Sequence, residues 1–113
     1  MLRIAYAGRV LLLPGDIERD SEHELLAAAA PLRADILKVP HHGSRTSSTP
    51  AFVAAVAPAL AVFPAGADNR FGFPHPEVLA RYRCPVRITG RDGAVTVTIR
   101  ASASDGAWSA RWV

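Results

Sequence analysis

The sequence predicts a layered α/β domain in which helices cover a sheet. Short apolar runs typical of buried strands alternate with segments that carry helix-start signals, and clusters of Pro, Gly and Asp separate the two. The predicted order of elements is β-β-α-β-α-β-α-β-β-β. A chain of 113 residues has the length of a single domain with a small core.

Composition narrows the class of protein further. Half of the residues are apolar and 20% are charged, which is typical of a folded globule. We expect the chain to be soluble, because it has neither a signal peptide nor an apolar run that could cross a bilayer. Cys84 is the single cysteine, so an intrachain disulfide and a cysteine-based zinc site are excluded. The net charge of +3 comes from scattered arginines, a pattern more typical of a solvated surface than of a nucleic-acid-binding face.

The chain opens with two predicted strands joined by a tight turn. Residues 1–7 alternate in part between apolar and polar side chains, and residues 10–13 form an apolar run typical of a strand buried on both faces. Gly8 lies between them and favours a hairpin. Residues 34–39 form the next strand, which leads directly to a pair of histidines.

Three helices are predicted, at residues 22–30, 50–57 and 76–82. Ser21, with Glu24 three residues later, resembles a capping box for the first helix. Ser48 or Thr49 can cap the second helix, which has a proline at its first position and another just beyond its end.

Four further strands are predicted, at residues 59–63, 86–89, 94–100 and 107–113. The turn-forming sequence Arg91-Asp92-Gly93 predicts a hairpin between residues 86–89 and 94–100. Residues 102–106 are expected to turn into the last strand. A long loop over residues 64–75 is indicated by its Gly, Pro, Asn and Asp content.

Residues suited to metal binding follow two of the predicted strands. Asp16 comes after a Pro-Gly turn, and His41 and His42 end the tract LKVPHH. Asp and His are deprotonated near neutral pH, and a catalytic zinc takes three such ligands and one open position. Asp16, one of the two histidines and His75 could together form one incomplete site. Asp16 could instead be a turn residue, and the histidines could be ordinary loop residues.

Adjacent histidines in an extended loop point to opposite sides, so we expect one to be a ligand and the other to orient it. Gly43 could allow close approach of the backbone to an anion. Five side chains could contact an anionic substrate, namely Lys38, Ser44, Asn69, Arg70 and His75. Lys38 could equally lie on the strand surface, and His75 could do no more than precede a helix. We expect His23 on the surface.

Three tracts now identify a resemblance: LLLPGDIERDSEHELL, LRADILKVPHHGSRTSS and NRFGFPHPEVLARY. Together they closely resemble the C-terminal metallo-β-lactamase-like domain of the ComEC family, over residues 2–99. ComEC proteins are bacterial membrane channels that import single-stranded DNA during natural transformation. The resemblance implies that residues 1–113 are a single domain or half-domain, the second half of an αββα sandwich. It also implies a parent protein in the cytoplasmic membrane, with DNA and the channel as partners.

The resemblance further implies a phosphodiesterase with two divalent metal ions, zinc or manganese, which cuts the DNA strand that is not imported. With the residue patterns, it assigns catalytic roles to Asp16, His41 and Lys38, metal binding to Asp16, His41 and His42, and substrate contact to Ser44, Arg45, Asn69, Arg70 and His75. Of these, Lys38, Arg45 and Arg70 would offset charge that develops on the phosphate.

Two departures from the family pattern qualify this prediction. The principal metal motif, His-x-Asp-x-Asp-His, does not occur in the sequence, and Phe73 stands where the family usually has a histidine. We therefore expect the isolated chain to have little or no nuclease activity and to bind metal weakly or not at all. A competing hypothesis is a degenerate, non-catalytic module that binds DNA or packs against the channel. Half a sandwich would also leave an apolar face uncovered, which predicts a homodimer.

Overall fold

A mostly parallel five-stranded sheet organises the fold. The computed structural model describes residues 1–101 and 108–112. The strands of the sheet, in spatial order, are β1 (Leu2–Tyr6), β2 (Arg9–Leu13), β3 (Ile36–Lys38), β4 (Leu60–Phe63) and β5 (Val86–Ile88). The β1–β2 pair is the predicted antiparallel hairpin, and β2 to β5 run parallel. The predicted α/β class is confirmed, and the arrangement is compatible with an α/β sandwich.

Helices connect the successive parallel strands. They are α1 (Arg19–Ala27), α2 (Pro50–Val56) and α3 (Pro76–Leu79), with an irregular turn at Pro40–Gly43. A further short helix, α4 (Thr89–Asp92), follows β5, and then β6 (Val95–Ile99) and β7 (Trp108–Trp112) form a separate antiparallel pair. The last predicted strand is thus found at 108–112. The predicted turn at 102–106, residue 107 and residue 113 lie outside the described residues.

The core lies between the central strands and the helices. Its fully buried side chains include Leu12 and Leu37 from the sheet, Phe52 and Val56 from α2, and Val78 from α3. Burying a side chain of this size stabilises the fold by about 1.5–3 kcal/mol. The core therefore fixes the strands and helices whose ends carry the polar loops.

The start of α1 differs from the prediction. The helix begins at Arg19, and Ser21 and Glu24 are exposed, so the predicted capping box is wrong. The Arg19 amide instead donates to the Thr46 carbonyl oxygen at 2.8 Å. A loop distant in sequence thus provides the hydrogen-bond acceptor for the first amide of the helix. With this start, Glu22 lies on the buried face of the helix. The helix ends earlier than predicted because the chain adopts a left-handed conformation shortly after Ala27.

The second helix begins as predicted. The Thr49 side chain accepts a hydrogen bond from the Phe52 amide at 3.3 Å, and Pro50 occupies the first turn. Ala57, with φ of 44°, ends the helix one residue before Pro58. The third helix is shorter than predicted, because regular helical geometry stops at Leu79.

The hairpin predicted at Arg91-Asp92-Gly93 is wrong. Strand β5 belongs to the main sheet, whereas β6 pairs with β7. Two contacts close a helical turn in place of the hairpin: Asp92 accepts from the Ile88 amide at 2.9 Å, and the Gly90 amide donates to the Ala65 carbonyl at 2.8 Å. A Cβ atom at Gly90 would lie 2.3 Å from the amide nitrogen of residue 67, so this close approach requires glycine. Hydrogen bonds from the preceding arginine and from the Ile88 amide lower the pKa of Asp92 to about 2.

Strand β1 forms an exposed edge of the sheet. Leu2, Ile4 and Tyr6 lie on one face of it and are 54%, 42% and 56% exposed. This apolar stripe is compatible with the expected uncovered face, and the homodimer stays a prediction. No helix within residues 1–101 and 108–112 is long and apolar enough to cross a membrane.

Candidate functional site

Three loops that follow neighbouring parallel strands meet at one edge of the sheet. The loop after β2 carries Asp16, the loop after β3 carries His41 and His42, and the loop after β4 begins at Pro64. Between them lies an open cleft of about 670 Å³, lined by these four residues among others. The carboxyl ends of parallel strands are where α/β folds usually bind ligands.

Asp16 and His42 face each other in this cleft. The Asp16 Oδ1 atom lies 3.7 Å from His42 Nε2. On the other side of the ring, His42 Nδ1 lies 2.7 Å from the Pro64 carbonyl oxygen. Because a carbonyl oxygen can only accept, Nδ1 carries a hydrogen, and Nε2 is the ring nitrogen that faces Asp16. The β4 loop thus sets the tautomer that metal binding through Nε2 requires.

The two histidines do not lie in an extended loop, so the expectation that they point to opposite sides is wrong. His41 and His42 have φ values of 49° and 56°, in the left-handed region, and both rings line the cleft. Their backbone is held by bonds from the His41 amide to the Gly15 carbonyl and from the Ser44 amide to the His41 carbonyl. Each left-handed non-glycine residue costs of order 1–3 kcal/mol, which such contacts must offset.

His41 faces a different carboxylate. Its Nδ1 atom lies 3.1 Å from Glu18 Oε1, but the two atoms are not aligned as a hydrogen bond. Among the described residues this buried nitrogen has no hydrogen-bond partner. The cleft therefore holds two histidine–carboxylate pairs, His42 with Asp16 and His41 with Glu18.

Gly43 serves packing more than anion binding. Its φ is 85°, and a Cβ atom there would lie 2.6 Å from Pro74 Cβ and 2.9 Å from Phe63 Cδ1. The Gly43 carbonyl also accepts from the His75 amide at 3.1 Å. The space that the sequence suggests for an anion is thus filled by the 64–75 loop, which is fixed against the histidine loop.

Lys38 lies beside Asp16. Its Nζ atom is 3.7 Å from Asp16 Oδ1 and donates to the Gly15 carbonyl at 3.4 Å. About a quarter of the side chain is exposed, so the ammonium group remains accessible to an anion. Lys38 therefore places a positive charge beside Asp16, the carboxylate that also faces His42.

The hydroxyl side chains after the histidines mainly hold their own loop. Ser44 Oγ and Thr46 Oγ1 are 3.0 Å apart, and Thr46 Oγ1 donates to Glu18 at 2.9 Å. Ser47 is buried, and its single hydroxyl hydrogen is shared between the carbonyls of Pro40 and Ser44, both 3.1 Å from Oγ. Of these hydroxyl residues, Ser44 and Thr46 line the cleft.

A buried carboxylate fixes the far end of the same loop. Glu22 on α1 is fully buried and accepts from the Ser48 amide at 2.6 Å and the Thr49 amide at 2.8 Å. Arg81 donates to the Ser48 carbonyl at 2.9 Å, and Ser48 Oγ bonds Tyr82 Oη at 2.8 Å. Burial raises the pKa of Tyr82 well above its usual range. The loop is thus held at both ends.

The remaining predicted substrate contacts are placed less favourably. Arg45 pairs with Glu77 on the surface and does not line the cleft. Asn69 lines the cleft, but its side-chain amide is used within its own loop, where Nδ2 donates to the Phe73 carbonyl at 2.6 Å and Oδ1 accepts from the Phe73 amide at 2.8 Å. His75 precedes α3 and touches Phe73 edge-on, outside the lining of the cleft.

Comparison with known proteins gives the family. The chain is 34% identical over 103 residues to ComE operon protein 3 of Bacillus subtilis (strain 168), which covers 90% of the chain. It is 37% identical over 90 residues to Recombination protein 2 of Haemophilus influenzae and 36% identical over 84 residues to Competence protein ComA of Neisseria gonorrhoeae, over 77% and 74% of the chain. The chain belongs to the ComEC family.

The similarity covers a small part of each relative. The chain spans 13%, 11% and 12% of the lengths of the Bacillus, Haemophilus and Neisseria proteins. No protein-family model matches the chain. The resemblance to the ComEC family found in the sequence tracts is confirmed, whereas the metallo-β-lactamase-like assignment stays a prediction.

The donor atoms of this ComEC-family chain fit part of a metal site. Two ligands of a tetrahedral zinc ion lie about 3.4 Å apart, given metal–ligand bonds of about 2.1 Å. The 3.7 Å separation of Asp16 Oδ1 and His42 Nε2 is close to this value, whereas His41 Nδ1 is buried against Glu18. Within residues 1–101 and 108–112, however, no three His, Cys, Asp or Glu side chains are arranged to hold a metal ion. The chain thus offers a pair of ligands and not a complete set.

Sequence reasoning missed three groups in the cleft. Glu18 follows Asp16 by two residues, a spacing that could have placed both on one side of the loop. Phe71 and Phe73 line the cleft, and the Phe73 ring is nearly parallel to His42, at 6.4 Å between centroids. The third group, the Pro64 carbonyl, is a backbone atom, which no pattern of residue types reveals.

Proposed function

We propose that this chain contributes to a DNA-uptake protein as part of a metal-dependent phosphodiesterase that acts on the strand that is not imported. The observation that carries the proposal is the Asp16–His42 pair, 3.7 Å apart, with the His42 ring oriented by Pro64. Relatives named for competence support the DNA-uptake setting. In such a protein the chain would stand beside further segments that supply more ligands.

The residues of the chain have distinct tasks in this proposal. Asp16 and His42 would hold one side of a divalent metal, and Pro64 would keep the His42 Nε2 atom directed at it. When bound, the metal supplies Lewis-acid activation of a phosphodiester. Lys38, 3.7 Å from Asp16, would attract the phosphate and offset the charge that develops on it. Arg70 is exposed and free of carboxylate partners within residues 1–101, so it can reach a neighbouring phosphate.

Paramagnetic NMR tests the metal-binding step without relying on activity. Mn²⁺ added to the ¹⁵N-labelled chain should first broaden the amide signals of Asp16 and His42. Asp16→Asn should abolish this selective broadening, because one of the two ligands loses its charge. Asp20→Asn, which changes an exposed carboxylate on α1, is the matched control and should leave it unchanged. Broadening that is centred on α1, or that survives Asp16→Asn, would contradict the proposal.

A second function is favoured by a specific observation. Lys38 already places an ammonium group next to Asp16, and Phe73 replaces the histidine that is usual in the family. Both features would suit a non-catalytic module that binds DNA through the same cleft or packs against the channel. The longer parent protein separates the two functions: metal-dependent cleavage of a single-stranded oligonucleotide that is lost in Asp16→Asn supports the enzyme. DNA binding that is unaffected by metal and by Asp16→Asn supports the module.

A further inference from the structure

Three planar groups are stacked at the rim of the cleft. The rings of Phe71 and Phe73 are nearly parallel, with centroids 5.3 Å apart and 20° between planes. The Arg70 guanidinium lies over the Phe71 ring, 4.9 Å from its centroid. Phe71 is 56% exposed, as much as any large apolar side chain among the described residues. A phenylalanine held in this way keeps more than half of its side chain exposed beside a positive charge.

The loop that carries these rings is rigidly built. The Asn69 side chain bonds the amide and the carbonyl of Phe73 and also donates to the Gly66 carbonyl at 2.8 Å. The His75 amide ties the end of the loop to the Gly43 carbonyl. An exposed aromatic ring on a fixed loop carries little conformational entropy to lose when a ligand stacks on it. The Phe71 and Phe73 rings therefore form a pre-ordered aromatic platform.

The platform and the candidate metal ligands share one cleft. Phe71 and Phe73 line it together with Asp16 and His42, and the volume of about 670 Å³ falls within the range of small-ligand sites. Proteins that bind single-stranded DNA pair aromatic faces for the bases with positive charge for the phosphates. Here the charge is supplied by Arg70 at the rim and Lys38 beside Asp16.

We propose that Phe71 is a stacking site for an unpaired nucleobase, which enters between its ring and the Arg70 guanidinium. The inference rests on the proposed function, because the base would belong to the DNA strand whose phosphate lies at Asp16 and His42. It requires the DNA at this cleft to be single-stranded. A base paired in a duplex has both faces covered by its neighbours and cannot stack on the ring.

Two oligomers of equal charge test the inference. Fluorescence anisotropy would measure binding of the chain to a labelled thymidine octamer and to an abasic octamer with the same phosphates and no bases. Phe71→Ala should weaken binding of the thymidine octamer by roughly 5- to 150-fold, the size of one base–aromatic stack, and leave the abasic octamer unaffected. Phe71→Trp should restore binding, because it retains a π-face.

Tyr6→Ala is the matched control. Tyr6 is also 56% exposed, but it pairs with Arg9 at the start of β2. The cleft lies beyond the other end of β2, so Tyr6 is at the opposite end of the sheet. This variant should bind both octamers as the unaltered chain does. If Phe71→Ala binds the thymidine octamer as tightly as the unaltered chain, the stacking site is refuted while the metal-site proposal stands. If the chain binds neither octamer, both the stacking site and the action on DNA are refuted.

Discussion

Glu22 provides a sharp test of how the histidine loop is held. Its carboxylate is fully buried, and each oxygen accepts a hydrogen bond from a different backbone amide, Ser48 and Thr49. Glu22→Gln keeps the size of the side chain and one acceptor oxygen. It also turns an amide N–H towards a backbone N–H, so one of the two donors must lose its partner. A bidentate acceptor is therefore the property that this substitution removes.

The magnitude follows from the two bonds. A hydrogen bond to a charged group contributes about 1.5–3 kcal/mol, and a buried donor left unpaired costs about 1–3 kcal/mol. Removing the charge also relieves the desolvation of a buried carboxylate, which offsets part of this loss. We expect Glu22→Gln to lower the free energy of unfolding by about 2–4 kcal/mol. That is a large part of the 5–15 kcal/mol that is roughly typical of a domain.

Urea unfolding followed by far-UV circular dichroism measures the effect. With a slope of about 2 kcal/mol per molar urea, the middle of the range for small proteins, the midpoint should fall by about 1–2 M at an unchanged slope. Glu24→Gln is the matched control, because Glu24 lies on the same helix and is exposed. A Glu22→Gln midpoint within about 0.3 M of the control would refute the role of Glu22 as a bidentate acceptor.

Three further outcomes are expected. Gly43→Ala should lower the free energy of unfolding by about 2–4 kcal/mol, because the added Cβ atom clashes with Pro74 and Phe63 at a φ that already strains an alanine. Gly15→Ala, at a similar φ but with open space around the Cβ position, should lower it by about 1–2 kcal/mol. Equal losses in urea titrations of the two variants would contradict this. Asp92 has a pKa of about 2 when folded and about 3.9 when unfolded, so its stabilisation is present above about pH 4 and is lost as the pH falls towards 2. Asp92→Asn should therefore flatten the acid unfolding curve, and an unchanged curve would argue against this. Lys38→Ala should tighten Mn²⁺ binding by about fivefold, because it removes an ammonium group that competes for Asp16 with an interaction energy of ~1 kcal/mol. Weaker binding would show that Lys38 positions Asp16 as a ligand.

Local signals predicted the parts of the fold that depend on nearby residues. The start of α2 was predictable because Thr49 caps its own helix and Pro50 suits the first turn. The start of α1 was not, because its terminal amide finds a carbonyl in the loop at Thr46, far along the chain. The turn after β5 likewise depends on contact between Gly90 and the 65–67 backbone, which no local pattern encodes.

The candidate site likewise has features that the sequence predicts and features that it does not. The meeting of Asp16 with the histidine loop could be predicted, because parallel strands end at one edge of a sheet. The left-handed backbone of His41 and His42 could not, since even histidine, which is enriched there among non-glycine residues, adopts it only rarely. It brings both rings into one cleft, where Glu18 and the 64–75 loop complete the surroundings. These contacts arise only when the loops pack together.

The hydrogen bond from His42 to Pro64 also affects how the site can be dissected. Its acceptor is a main-chain oxygen, which stays in place whatever side chain stands at position 64. An alanine scan would consequently attribute the site to Asp16 and His42 and would overlook the group that selects the imidazole tautomer. Replacing the amide bond between residues 64 and 65 by an ester weakens that carbonyl as an acceptor and leaves every side chain intact, at the cost of the hydrogen bond from the Ala65 amide to the Phe63 carbonyl. A backbone substitution is thus the direct test of the carbonyl that orients His42.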